Sequence, residues 1–380
     1  MIVAVAAAQN DGNSLASTPP PRVMANLAGQ VGAKDEFQAS SHQDRWRLPP
    51  DGITALREAA NARGRALAAT GTTTPPDAGS ALLQTEIVEA PPGLTADDET
   101  KMLRWYEQQI PLLVGRASAN RRLRRNHKVS ATATILIKRF YLSHSMLERE
   151  PLAHTLAAVF LAAKAEDEFV SGGELATAVV DSAEEAKRLS DRAARAESAI
   201  LSGVGYDLRV AHPHGPARAL FDSVGNDEDK DVKKEKKPKV APKLEDGVRE
   251  QRNRIMDECD KFLTTDAPLL HAPSILAAAA CLRTTGPVTP QQLQAVFLAK
   301  FAPEALDVIR ALAQTEEPPE DAAALKKVRK RLKKMALWRA APAKRPVSDA
   351  TPIEPAAKRA KRGAAPEPGA YVEVDHSRPL

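Results

Sequence analysis

The chain has 380 residues, 43% of them hydrophobic but only 4% aromatic, with 27% charged residues and 29 prolines. That length admits roughly two or three ordinary domains, and alanine, leucine and valine in abundance with few aromatics predict helices rather than sheets. The net charge of +5 is mild and gathered in a few runs, so it does not by itself indicate a nucleic-acid binder, while two cysteines, Cys259 and Cys281, exclude a disulfide framework and are too few for a zinc ribbon.

The opening "MIVAVAAAQNDG" has a short apolar run with no basic residues before it, a poor fit to a secretory signal, and no later stretch approaches a membrane span. A soluble protein of a reducing, intracellular compartment is expected. Residues 1–43 lack lasting periodicity and include "STPPPR", so this extension is predicted to be disordered. An N-terminal arm follows over 44–93. In it "DGITALREAANARGRAL" predicts a helix with Asp51 as N-cap and Ile53, Leu56, Ala60 and Leu67 on one face, and "GTTTPPDAGS" and "EAPPG" read as loops.

Residues 94–224 read as one all-α unit of five helices. Thr95 and Asp98 make an acidic variant of the capping box at the start of the first. "HKVSATATILIKRFYLS" aligns Val129, Ala133, Leu136 and Phe140 in the second. Pro151, a favoured first-turn residue, opens the third, and "LAHTLAAVFLAAK" is apolar nearly all round, as the buried axis of a bundle must be. Ser171 with Glu174, and Ser182 with Glu185, are spaced as capping boxes of the fourth and fifth. The fifth carries Leu189, Ala193, Ala196 and Ile200 on one face and stops at Gly203.

Residues 225–247 are dense in charge of both signs and lack an apolar stripe, which reads as a flexible linker. Over 248–340 helical patterns return in "VREQRNRIMDECDKFL", "APSILAAAACLR", "TPQQLQAVFLAKF" and "PEALDVIRALA". "PSILAAAACL" echoes "PLAHTLAAVFL", a proline opening an almost uniformly apolar helix, and suggests a second copy of one helical fold. A basic helix, Ala322 to Trp338, closes this part, and 341–380 reads as a disordered basic tail.

Lys164 ends the apolar third helix, and Glu197 lies on the fifth beside its buried stripe. If those helices pack together, the two side chains can meet at the rim of an apolar patch and offer charge-assisted hydrogen bonds to a partner's backbone. A helix-end lysine that snorkels and a solvated glutamate fit the spacing as well. His212 and His214 in "HPHG" lack the carboxylate or cysteine company of a zinc site, so no metal is expected. "RRLRRNHK" (121–128) reads as a solvated loop, and no direct nucleic-acid site is expected. In the tail, Lys344 and Arg345 precede Lys358, Arg359, Lys361 and Arg362 across a Pro-containing spacer, the pattern of a bipartite nuclear localisation signal. No Gly-rich phosphate loop, strand-borne lysine or nucleophile elbow is seen, so no catalytic set and no cofactor is expected.

"ATATILIKRFYLSHSMLEREP" followed by "FLAAKAEDEF" resembles the cyclin box, and the likeness runs from about Ser40 to Trp338. It implies an all-α protein of tandem cyclin folds, two five-helix repeats with flanking N- and C-terminal helices. It also implies that Lys164 and Glu197, the latter in "RAESAILSGVGYDL", form the pair that docks on a kinase, with Phe160, Leu161, Ala165 and Tyr206 completing the interface. Within the family the chain is most similar to the cyclin H type, through "KRFYLSHSMLEREP", "LTTDAPLLHAPS" and "SSHQDRW…LREAANARGRAL". That likeness implies a non-catalytic, nuclear activator in a CDK-activating kinase. Its partners would be a cyclin-dependent kinase 7-type kinase, a RING-finger assembly subunit and the transcription factor IIH core. Such a kinase phosphorylates CDK activation segments and the C-terminal repeats of RNA polymerase II. Two alternatives stay open: a cyclin C-type subunit of the Mediator kinase module, which shares "ATAT…KRFY", and a transcription factor IIB-like scaffold of tandem cyclin folds. The family's larger apolar residue is replaced by Ala165, and "KMLRWYEQQI" stands where mitotic cyclins carry Met-Arg-Ala-Ile-Leu, so no substrate-docking patch on this chain is expected.

Overall fold

A helix without a polar face has to sit inside a bundle. In this computed structural model, which describes residues 40–69, 94–224, 242–315 and 322–340, that helix is α5 (Pro151–Ala165), buried from Pro151 through Val159 and again at Leu161, Ala162 and Ala163. Around it pack α3 (Ala96–Val114), α4 (His127–Ser143), α6 (Gly172–Val179) and α7 (Ala183–Gly203). Leu136, Phe140, Leu156, Leu189 and Ile200 interlock in this core, each contributing about 1.5–3 kcal/mol by leaving water. Thr95 and Asp98 close a full capping box at α3, and Ser171 and Ser182 accept the backbone N–H groups of Glu174 and Glu185.

The second core gathers α8 (His214–Val224), α9 (Pro242–Leu263), α11 (Pro273–Arg283), α12 (Pro290–Lys300) and α13 (Pro303–Gln314), with short α10 (Ala267–Leu270) between α9 and α11. Here α11 is the axial helix, its run Leu276–Cys281 wholly buried. Thr289 and Gln292 form a capping box at α12 that the sequence reading passed over. The described elements thus contain two five-helix sets, with α10 as an extra turn in the second and α1, α2 and α14 flanking them.

Several expected boundaries move. The first repeat does not run to 224, because Ala217, Leu220 and Phe221 of α8 pack with Ile255, Cys259 and Leu276 in the second core. The charged run thus interrupts the second repeat between its first two helices, and it ends earlier than 247, since α9 begins at Pro242. His214 is the first residue of α8. The N-terminal extension gives way to structure before residue 44: α1 (Ser41–Trp46) is capped by the Ser40 hydroxyl and anchored by buried His42 and Trp46. Asp51 is not an N-cap, because α2 (Pro50–Ala69) starts one residue earlier and holds Asp51 in its first turn.

The flanking helices tie the repeats together. Leu48 N–H donates to Leu269 O (2.8 Å), Arg57 on α2 pairs with Asp266, and Leu269 itself enters the first core. From the other end, α14 (Ala322–Ala340) lies on α3. Val328 is buried, Arg331 reaches Asp98 (2.8 Å), and Arg329 stacks on Trp105 at 4.4 Å. Within the first repeat Lys138 and Glu107 form an ion pair at 2.7 Å with both side chains sealed from water.

Candidate functional site

Lys164 occupies the last turn of α5, where the carbonyl end of the helix dipole favours a cation. Its base is fixed from below. Glu166, the C-cap residue, accepts from Thr132 Oγ1 of α4 (2.6 Å), and the same hydroxyl meets His212 Nε2 at 2.7 Å. Glu197 reaches across from α7, which buries Ala193, Ala196 and Ile200 and so turns Glu197 to the rim. The two meet closely: Lys164 Nζ lies 2.7 Å from Glu197 Oε1 and 3.0 Å from Oε2, and 4.2 Å from the Phe160 ring centroid.

The lysine side chain is 51% exposed and the glutamate 19%. An ion pair this open adds only about 0–1 kcal/mol to folding. It is better understood as two charges fixed in direction, with spare donors and acceptors facing solvent.

Of the other sequence-expected residues, Phe160 is half-buried, Ala165 is exposed and Tyr206 is 74% exposed. Leu161 is a correction. Only 3% exposed, it belongs to the chain's own core and not to the open rim. On a helix apolar all round, periodicity does not tell the rim from the interior.

Phe169 was missed. It is 82% exposed on the loop after α5, which turns through Asp167 (φ 55°) and is held by Arg125 Nε donating to the Phe169 carbonyl at 2.8 Å. A lone phenylalanine after an acidic stretch carries no sequence signal for this. Arg125, read as part of a solvated loop, is thus partly engaged in shaping the rim.

His212 and His214 serve packing at the seam between repeats. His214 Nε2 meets Asp260 Oδ1 at 3.0 Å, and its ring lies 4.6 Å from that of His127. Burial first, then the neighbouring imidazoles, hold His212 down to about 3. Among the described residues no group of three His, Cys, Asp or Glu side chains is placed to hold a metal ion. No described helix is long and apolar enough to cross a membrane. Lys344, Arg345, Lys358, Arg359, Lys361 and Arg362 lie outside the described residues.

No protein-family model matches the chain. Cyclin-H1-1 of Arabidopsis thaliana is 28% identical over 259 residues, covering 64% of this chain and 69% of the relative. Cyclin mcs2 of Schizosaccharomyces pombe is 24% identical over 231 residues, covering 60% of this chain and 63% of the relative. Among solved structures, a chain of the CAK complex from Chaetomium thermophilum bound to ATP-gamma-S superposes with a TM-score of 0.60 at 21% identity, covering 80% of this chain and 90% of that one. That superposition establishes a shared fold.

Proposed function

We propose that this chain, similar in sequence to cyclin-H proteins, is the regulatory subunit of a CDK-activating kinase, docking through the rim built on Lys164, Glu197, Phe160, Ala165 and Tyr206. The observation that carries the reading is the Lys164–Glu197 pair, pre-formed at the end of the buried axial helix yet open to solvent.

The mechanism is a shift of population. A protein kinase needs its strand lysine paired with the glutamate of helix αC before it can transfer a phosphoryl group. A subunit that binds only the helix-in conformer favours it by its differential affinity. The rigid α5–α7 corner suits this task, because a docking surface already in its bound geometry loses little entropy on association. In this reading the chain performs no chemistry of its own. A cyclin-dependent kinase 7-type kinase is the catalytic partner, and a RING-finger assembly subunit and the transcription factor IIH core complete the assembly. CDK activation segments and RNA polymerase II C-terminal repeats are the substrates, and the nucleus is the site of action.

Affinity capture of the tagged full chain from nuclear extract tests this. Recovery of a kinase of the CDK-activating type, with activity toward an activation-segment peptide, is expected. Recovery of a Mediator-associated kinase, or of no kinase, would contradict the reading.

A further inference from the structure

The chain leaves α7 through two consecutive residues in the left-handed region, Gly205 (φ 63°) and Tyr206 (φ 58°). Glycine enters this region freely, whereas a tyrosine there is strained and stays only where its surroundings hold it. The Tyr206 ring does not provide the hold, being 74% exposed. The restraint comes from the backbone and from the next residue.

Tyr206 N–H donates to Leu201 O at 2.8 Å, which turns the chain back on the helix one turn beyond Glu197. Asp207 is then gripped at both carboxylate oxygens by α1. Ser41 Oγ donates to Oδ1 at 2.8 Å and Trp46 Nε1 donates to Oδ2 at 2.9 Å. Beneath it lies Arg139 of α4, fully buried, its Nη1 within 3.3 Å of Arg209 O and 3.5 Å of Asp207 O, its guanidinium 4.8 Å from the Trp46 ring centroid. Nε and Nη2 of Arg139 are buried without a hydrogen-bond partner, so a nearby carboxylate is needed to offset the buried cation. Three elements thus converge on one turn that carries an exposed tyrosine.

We infer that Asp207 is a positioning residue: with Ser41 and Trp46 of α1 it holds the strained turn that presents Tyr206 to the docked partner. The N-terminal helix α1 is then part of the docking device through its hold on Asp207. The inference rests on the kinase-docking reading above, through the role given to Tyr206.

The test measures the affinity of the full chain for the kinase subunit that co-purifies with it. Asp207→Asn removes the charge and turns one acceptor into a donor; Trp46→Phe keeps a ring in the core and removes only the Nε1–H. Each is expected to weaken binding roughly tenfold, the scale of one lost charge-assisted hydrogen bond. In a Tyr206→Ala background, Asp207→Asn should cost less than about twofold more, because the two residues act through one contact. A purely structural role would give the same loss in both backgrounds, or lower the melting temperature with affinity unchanged, and either result overturns the inference. Should Asp207→Asn fail to fold, Trp46→Phe carries the same expectation. If Lys164→Ala weakens binding but Tyr206→Ala does not, the docking reading stands and the positioning role is overturned. If neither weakens binding, both fall.

Discussion

Arg57 and Asp266 form a two-pronged pair, Nη1 to Oδ2 at 2.8 Å and Nη2 to Oδ1 at 2.6 Å, and through it the N-terminal arm grips the corner of the second repeat. The forked geometry and partial burial of both side chains (13% and 29% exposed) set it apart from an open surface contact. Arg57→Ala is expected to lower the stability of the whole chain by about 1–3 kcal/mol, since it leaves a partly buried carboxylate unmatched. A urea titration followed by circular dichroism checks this, and an unchanged midpoint would contradict the clamp.

Glu107 and Lys138 lie deeper, both sealed between α3 and α4. Burial pushes the Glu107 carboxyl up to about 7 although Lys138 pulls it the other way. Removing one partner strands a buried charge, so Glu107→Ala is expected to cost about 3–5 kcal/mol. Replacing both, as Glu107→Leu with Lys138→Met, should recover most of that loss. Equal destabilisation in the single and double variants would show that volume matters here and charge does not.

Acid should loosen the fold well above the usual carboxylate range. Burial holds His42 and His212 down to about 3 and His127 and His154 down to about 4. A histidine with a lowered folded-state pKa binds fewer protons folded than unfolded. Its stabilisation is therefore complete above the unfolded value near 6.5 and is lost as pH falls toward 3–4, with a slope of up to about 1.4 kcal/mol per pH unit for each group. Melting temperatures between pH 7.5 and 4.5 should fall from about 6.5 downward. A flat profile across that window would contradict neutral, buried imidazoles.

Ending the chain after Ala340 removes Lys344, Arg345, Lys358, Arg359, Lys361 and Arg362 while keeping α14 whole. On the proposed reading the shortened chain shifts toward the cytoplasm and still activates the kinase in vitro. Wholly nuclear fluorescence of the truncated, tagged chain expressed alone would refute the localisation signal.

Much of this architecture can be read in one dimension. Pro151 followed by an unbroken apolar run identified the axial helix, and Thr95 with Asp98 marked the start of α3, because caps and periodicity are local properties. What escaped depended on closure in space. The six residues of α1 are too few to show a period, and their anchoring needs Asp207, 161 residues from Trp46. The charged run before Pro242 looked like a boundary between domains because composition changes there, yet packing puts α8 and α9 in one core. Leu161 could not be separated from the rim of α5, because an all-apolar helix gives no sign of which side faces out. Lys164 and Glu197, 33 residues apart, could be paired from their helix positions only on the condition that the helices pack together, and that depends on how α5 and α7 meet in space.

The central claim is that this pair docks a kinase, and titration of the full chain with its co-purifying kinase tests it most directly. Lys164→Ala and Glu197→Ala should each weaken binding by about 2–5 kcal/mol, the usual loss when one partner of a hydrogen-bonded charge pair buried in an interface is truncated. The double variant should lose little more, since both residues serve one contact, and the free chain's helix content and melting should hardly change, because the pair is open to solvent. Wild-type affinity in both single variants would contradict the account.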